Sequence, residues 1–322
     1  MKPIPAVVAC GLLALSLALA APATAAYPDG RRITIVVPFG PGSGGDIGAR
    51  LVGQKLGEAL GTAVVIENRP GANGSIAAEY AANAKPDGHT LFVGSNSSHG
   101  ANPALQRELR YDPLGSFAPI NRIVVFTSVI VVNPAMPVTT MRELIDFGRS
   151  NEVMLATGNA SGVVQSETLA RQVGWQRLVR VPFKSNPQAM VEVMAARVQV
   201  MFTDIASAAS QLKAGAVRPL AVTSKARSAV MPELPTIAES GVPDYDLSGW
   251  IGLFAPAGTP PAIVDQLNRE LARVLNTPEV RRRFLDLGAE PGPMTVSAYT
   301  EWVRGEVEKW TRLVRQAGIE PE

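Results

Sequence analysis

The chain has 322 residues, and its 30 lysines and arginines against 28 aspartates and glutamates leave a formal net charge of +2. So even a balance, with no charge run and no basic patch interleaved with aromatics, argues against nucleic acid or an anionic membrane surface as a partner. One cysteine and two histidines argue equally against a disulfide framework and a dedicated zinc site.

Met1 and Lys2 lead into AVVACGLLALSLALA, an apolar run of fifteen residues, and APATAA follows with Ala23 and Ala25 in an A-x-A pattern. This is the layout of a secretory leader, residues 1–25, cleaved near Ala25. The run is shorter than the about 20 residues that cross a bilayer, and no later stretch comes near that length. A soluble, exported protein is expected. Cys10 lies inside the leader, so the mature chain is expected to carry no disulfide, no thiolate nucleophile and no Cys-bound metal. A hydrophobic content of 46% over the remaining length can fill two cores, because single cores stop growing near about 250–300 residues.

The first predicted strand ends in a glycine-rich loop, ITIVVPFGPGSGGD (33–46). Gly40, Gly42 and Gly45 fit G-x-G-x-x-G, and Glu67 stands 22 positions after Gly45, where a ribose-binding acid would fall. ITIVVPF, TAVVIEN and TLFVGS are continuous apolar runs, the pattern of strands covered on both faces. Between them, Ile47, Leu51, Val52, Leu56 and Leu60 recur at helical spacing, and IAAEYAANA precedes the turn KPDGH. The pattern is β-α-β-α-β with a parallel sheet.

RIVVFTSVIVVNP (122–134) is too long for one short strand and reads as a crossing between two lobes. Thr140 and Glu143 form a capping box for MRELIDFGRS, after which EVMLATGN, LVRVPFKS, VQVMFTD and VRPLAVTSK read as a second set of strands. Helix-like segments begin near Ser161, Asn186 and Ser207. Thr236 and Glu239 form another capping box, and helices at about 261–276, 278–287 and 297–316 return the chain to the first lobe. The expected architecture is two-domain α/β: residues 26–124 and 224–322 in lobe 1, residues 125–223 in lobe 2, with hinges near 125 and 223.

VVPFGPG and RVPFKSN both place Pro-Phe at a strand end before a helix start. A helix N-terminus presents unpaired N–H groups and about half a positive charge, so it attracts carboxylate or phosphate without a basic side chain. Gly42, Ser43, Gly44 and Gly45 are a plausible anion cradle, with Asp46 expected as the N-cap of the helix that follows. NRPGANGS, GSNSSHG, TGNASG, PFKSN and FTDI stand at the other strand ends, all but the last rich in small polar residues and glycine. Together they predict one polar cleft at the carboxyl ends of two sheets.

The sequence resembles the Bug-type extracytoplasmic solute receptors of tripartite tricarboxylate transporter systems. The resemblance rests on YPDGRRITIVVPFGPGSGGDIGARL, VVIENRPGANGSIAAEYAANAKPDGHTL, VPFKSNPQAMVEVMAARVQVMF, GAVRPLAVTSKARSAVMPELPTIAESG and WIGLFAPAGTP, in that order. It implies a periplasmic, type II-like two-lobe binding fold of the Venus-flytrap kind, with parallel or mixed sheets flanked by helices. It further implies a monomer without cofactor that closes on a small carboxylated molecule and hands it to membrane transporter subunits or a sensor. The implied ligand-binding residues are Phe39, Gly42, Ser43, Gly44 and Asp46, then Asn73, Gly74 and Ser75, then Ser95 and Asn96. Lobe 2 would add Asn159, Ala160, Ser161, Phe183, Lys184 and Asp204. The chain departs from the family where Gly-Gly usually follows the Pro-Gly turn, where a Gly-Thr pair often replaces NASG, and where Tyr-Lys-Gly commonly replaces FKS. These positions fall in the cleft, so the ligand stays open. Lys184 is either a contact to a second carboxylate or a solvated lysine.

The residues disfavour two other classes. A nucleotide loop is disfavoured by Pro38 and Pro41, which remove N–H donors, and by export, because little free nucleotide meets an exported protein. A secreted α/β hydrolase lacks its G-x-S-x-G, since GNASG has its serine one place late. Ser97 or Ser98 beside His99 resembles a nucleophile and base, but neighbours on a loop rarely orient that way.

Overall fold

The apolar runs form buried strands, and residues 27–321 are described in the computed structural model of the chain. In chain order, β1 (Ile33–Val37), α1 (Gly44–Leu60), β2 (Val64–Asn68), α2 (Ser75–Ala82) and β3 (Thr90–Ser95) make the expected β-α-β-α-β unit. β1 pairs in parallel with β2, Ile33 opposite Val64, and with β3, Thr34 opposite Thr90. A π-helical turn (Asn96–Ala101), α3 (Asn102–Leu105) and β4 (Phe117–Phe126) follow. The long apolar run then divides at Thr127, and β5 (Ser128–Val132) enters a second sheet.

That sheet is built by α4 (Met141–Ser150), β6 (Val153–Thr157), α5 (Ala160–Val173), β7 (Leu178–Pro182), α6 (Asn186–Met194), β8 (Val200–Asp204), α7 (Ile205–Lys213) and β9 (Arg218–Val222). The chain returns as β10 (Gly249–Pro256), α8 (Pro261–Leu275), α9 (Pro278–Asp286), β11 (Ala289–Pro291) and α10 (Val296–Gln316). The first sheet runs β11-β4-β10-β3-β1-β2 and the second β9-β5-β8-β6-β7. Each is parallel at one end and antiparallel at the other, and each has an antiparallel strand supplied by a crossing of the chain: β10 beside β3 and β4, β5 beside β8 and β9. Two mixed sheets flanked by helices, one in each lobe, are the two-lobe binding-protein architecture.

Local chemistry explains the boundaries. Ser43 starts α1 by accepting the Asp46 N–H, and Gly61 ends it in the left-handed conformation (φ 65°) that glycine adopts at least cost. The Thr140–Glu143 capping box forms as expected. The Thr236–Glu239 pair bonds in the same reciprocal way, yet it closes turns rather than opening a regular helix.

The first core gathers Ile35, Leu56, Leu91, Ile251 and Leu267, and the second gathers Ile130, Leu155, Phe202 and Trp175. The return crossing differs from the expected place near residue 223. Ile237, Val242, Tyr245 and Leu247 pack in the second core, so the chain rejoins the first sheet only at Gly249. A further cluster joins the lobes: Ala101 and Leu105 meet Ala160, Val163 and Val164 around Trp310 and Val314 of the C-terminal helix α10.

Candidate binding cleft

Loops at the carboxyl ends of β1, β3, β6, β7 and β8 converge on one enclosed cavity between the lobes. Phe39, Ser43, Gly45 and Asn96 line it from the first lobe, and Asn159, Ser161, Gln165, Asn186, Thr203 and Asp204 are among the residues lining it from the second. Its volume is about 30 Å³, room for a water or two and not for an organic acid. The lobes close over it by direct contact. Gly44 N donates to Ser207 Oγ at 2.9 Å, Asn96 Nδ2 donates to Ser161 Oγ, and the Ser97 and Ser161 hydroxyls lie 3.2 Å apart. A Cβ added to Gly44 would stand 2.3 Å from Asp204 Oδ1. An organic acid therefore enters only when the lobes separate.

The helix N-termini at this seam are not equivalent. The first N–H groups of a helix have no acceptor inside it. At α1 they already face protein oxygen: Gly44 N bonds Ser207, and the Asp46 N–H bonds Ser43. Asp46 is the third helical residue, not the N-cap, because Ser43 takes the extended cap conformation. The buried Asp46 carboxylate is fully engaged, accepting from Gly42 N at 2.9 Å, Arg50 Nε at 3.0 Å and Asn68 Nδ2 at 2.8 Å. Ser43 is likewise committed, its hydroxyl donating to Gly40 O at 2.8 Å. At α5 the Asn159 side chain caps Gly162 N at 3.1 Å and no acid stands in the first turn. The N–H groups of Ala160 and Ser161, like the start of α6 at Asn186, thus stand at the seam without a carboxylate in the first turn of their own helix.

The residues singled out in the sequence divide accordingly. Phe39, Ser43, Asn96, Asn159, Ser161 and Asp204 line the cavity, while Gly44 and Ala160 supply helix starts beside it. Ser95 sits one step behind, buried as the cap of the π-helical turn. Ser75 bonds Gln106 Oε1 at 2.8 Å, Gly74 packs near Pro38, and Asn73 faces a separate open groove of about 540 Å³ with Gln106, Val163 and Arg180. Phe183 packs on the second lobe's core and Lys184 is exposed, so neither reaches the cavity. The repeated Pro-Phe follows β1 in one lobe and stands at the end of the edge strand β7 in the other; Phe39 lines the cleft, whereas Phe183 turns to the core and the β7 loop reaches the cavity through Ser185 and Asn186 instead.

Phe126, Ser128, Gln165 and Phe202 also line the cavity and were missed. They lie on strands and mid-helix, where sequence shows burial but not which buried face meets the other lobe. Ser185 and Asn186 stood in the quoted PFKSN loop, and the Asn-Pro helix start was the signal that could have singled them out.

Ser98 does approach His99: its hydroxyl lies 3.0 Å from Nδ1. Because Ser98 Oγ accepts the Ser95 N–H, its own proton is available to Nδ1. Both residues are wholly buried, and His99 stacks on Phe254 with ring centroids 4.1 Å apart. No acid orients the ring, and no substrate reaches it. The imidazole acts as a core aromatic, and burial pushes its pKa down to about 3. A histidine held neutral in the fold protonates first in the unfolded chain. Its share of stability is complete above about pH 6.5 and is lost as pH falls toward 3, at about 1.4 kcal/mol per unit. Urea unfolding at pH 6.5 and 4.5 should show wild type losing about 2 to 3 kcal/mol more than His99→Phe; equal losses would show that His99 does not drive the acid sensitivity.

Residues 48–319 match the model of the tripartite tricarboxylate transporter family receptor. BugT of Bordetella pertussis is 30% identical over 314 residues, covering 96% of each chain. An R. palustris protein solved with adipate superposes with a TM-score of 0.88 at 32% identity, over 92% of this chain and 100% of that one. MatC from Rhodopseudomonas palustris, solved with bound malate, gives a TM-score of 0.83 at 32% identity, over 88% and 99%. The match spans most of the chain and both lobes: this chain belongs to the tripartite tricarboxylate transporter receptor family of periplasmic solute-binding proteins.

Proposed function

We propose that this receptor binds a small organic acid between its lobes, with a carboxylate seated on the N-terminus of α5. The observation that carries the reading is the asymmetry of the seam: α1 is met by the carboxylates of Asp46 and Asp204, whereas the first turn of α5 holds no acid and carries Ser161 into the cavity. Backbone N–H groups, the Ser161 hydroxyl and the helix dipole together supply charge-assisted hydrogen bonds without a basic residue. The adipate and malate held by the two R. palustris relatives support an acid as ligand.

Loading requires opening and then closure about the crossings at Thr127 and Ser248, with the Gly44–Ser207 bond re-forming and the acid taking the place of the Asn96 and Ser97 contacts to Ser161. Lobe 1 then comprises, of the described residues, 27–126 and 249–321, and lobe 2 the segment between. Residues 1–25 are the export leader, which lies outside the described residues. The loaded receptor, a monomer, delivers its acid to a membrane transporter or a sensor.

A thermal-shift screen of mono- and dicarboxylates, malate and adipate included, tests the reading. Ser161→Ala should weaken the best acid about five-fold, the loss of about 1 kcal/mol for one hydroxyl. An acid bound no less tightly by Ser161→Ala than by wild type would move the carboxylate away from α5.

A further inference from the structure

Asp204 is the one charged side chain lining the cavity, and no lysine or arginine lines it among the described residues. It is nine-tenths buried. Among the described residues both hydrogen-bond partners of its carboxylate belong to one neutral residue: Ser207 N donates to Oδ1 at 2.7 Å and the Ser207 hydroxyl to Oδ2 at 2.7 Å. An ionised carboxylate offers about four acceptor positions, so two hydrogen bonds leave it capacity for more. A buried charge without a counter-charge is unfavourable, and a cation or strong donor placed beside it is correspondingly favoured.

The helix starts around it sharpen the point. Asp204 is the N-cap of α7, so it already balances that dipole, and across the seam it faces Gly44 at the start of α1, whose first turn contains Asp46. Once a ligand carboxylate occupies α5, the start of α6 at Asn186 is the one other acid-free α-helix end lining the cavity among the described residues, and a second carboxylate reaching toward α7 meets Asp204 directly. Like charges that close disfavour each other strongly in a site shielded from water.

We infer that Asp204 sets the specificity of the cleft: it selects acids whose far end is a hydrogen-bond donor, best an ammonium group, and rejects acids with a second carboxylate at that end. The inference rests on the carboxylate seat at α5. It makes an ω-amino acid a better ligand than the diacid of equal length.

Calorimetry with two matched series separates these statements: 4-aminobutanoate, succinate and butanoate, then 6-aminohexanoate, adipate and hexanoate. In whichever length binds, the amino acid should bind wild type at least about ten-fold more tightly than the diacid, a difference of about 1.4 kcal/mol. Asp204→Asn keeps a good N-cap for α7 and should erase that preference; Asp204→Ser provides a second cap-competent variant if the first folds poorly. A diacid bound as tightly as the amino acid by wild type, or a preference unchanged in both variants, overturns the inference. The plain monoacids report on the seat itself. If they bind and the other two do not differ, only the role of Asp204 fails. If no member of either series binds, the carboxylate reading fails and this inference with it.

Discussion

Gly44→Val should weaken binding of the best acid in the screen by about 30-fold, or about 2 kcal/mol, while leaving the fold intact. Gly44 is helical, so no special backbone angle demands glycine there. The demand comes from the other lobe: any Cβ would lie 2.3 Å from Asp204 Oδ1 and 2.7 Å from its carboxyl carbon. The added side chain must push α1 and β8 apart, which opens the seam and breaks the 2.9 Å bond from Gly44 N to Ser207. Gly42→Ala provides the contrast. A Cβ on Gly42 meets nothing within 4 Å, but its φ of 80° strains an L-residue by about 1 to 2 kcal/mol. It should lower stability while the closed seam, and hence affinity in the folded protein, changes little. Calorimetry and thermal unfolding on both variants check the pair; Gly44→Val binding as tightly as wild type would show that closure does not bring these two elements together.

Trp310→Ala should destabilise the protein by about 4 kcal/mol, more than any cleft substitution considered above. Trp310 is fully buried in the cluster that ties α10 to both lobes. Its indole N–H donates to Glu306 Oε2 at 2.9 Å, and Trp250 donates to the same oxygen at 2.8 Å. Truncation leaves a cavity and removes one of the two indole N–H donors that, with Lys309, hold a largely buried carboxylate. Urea unfolding followed by fluorescence and circular dichroism would measure the loss. A change below about 1 kcal/mol would mean that α10 contributes little to joining the lobes.

The fold was readable because its signals are local. ITIVV and TLFVGS are apolar on both faces, as strands under two helical layers must be, whereas VVIEN forms the sheet edge with Val65 exposed; Thr140 with Glu143 marks a helix start in the sequence itself. The return crossing was misplaced because the 224–247 segment has little periodicity. Its attachment depends on Tyr245 and Leu247 finding the second core, which is a long-range event.

The cleft was half readable. Strand-end loops such as GPGSGGD and TGNASG were correctly expected to converge, since that follows from topology. Which of their atoms remain available was not. Ser43 and Asp46 look like anion ligands in one dimension, yet their oxygens are engaged by Gly40, Gly42, Arg50 and Asn68. Phe126 and Phe202 look like ordinary strand residues, and only the docking of one lobe against the other places them on the cavity wall. Lys184 shows the reverse: a promising charge that the helix start at Asn186 leaves in solvent.

The most direct test of the central claim is a crystal structure of the receptor with the tightest acid from the screen. The account predicts that a carboxylate oxygen lies about 2.7–3.1 Å from the N–H groups of Ala160 or Ser161, inside a seam closed by Gly44 and Ser207. An acid found instead in the open groove beside Asn73 and Arg180, with the interlobe cavity unchanged, would contradict it.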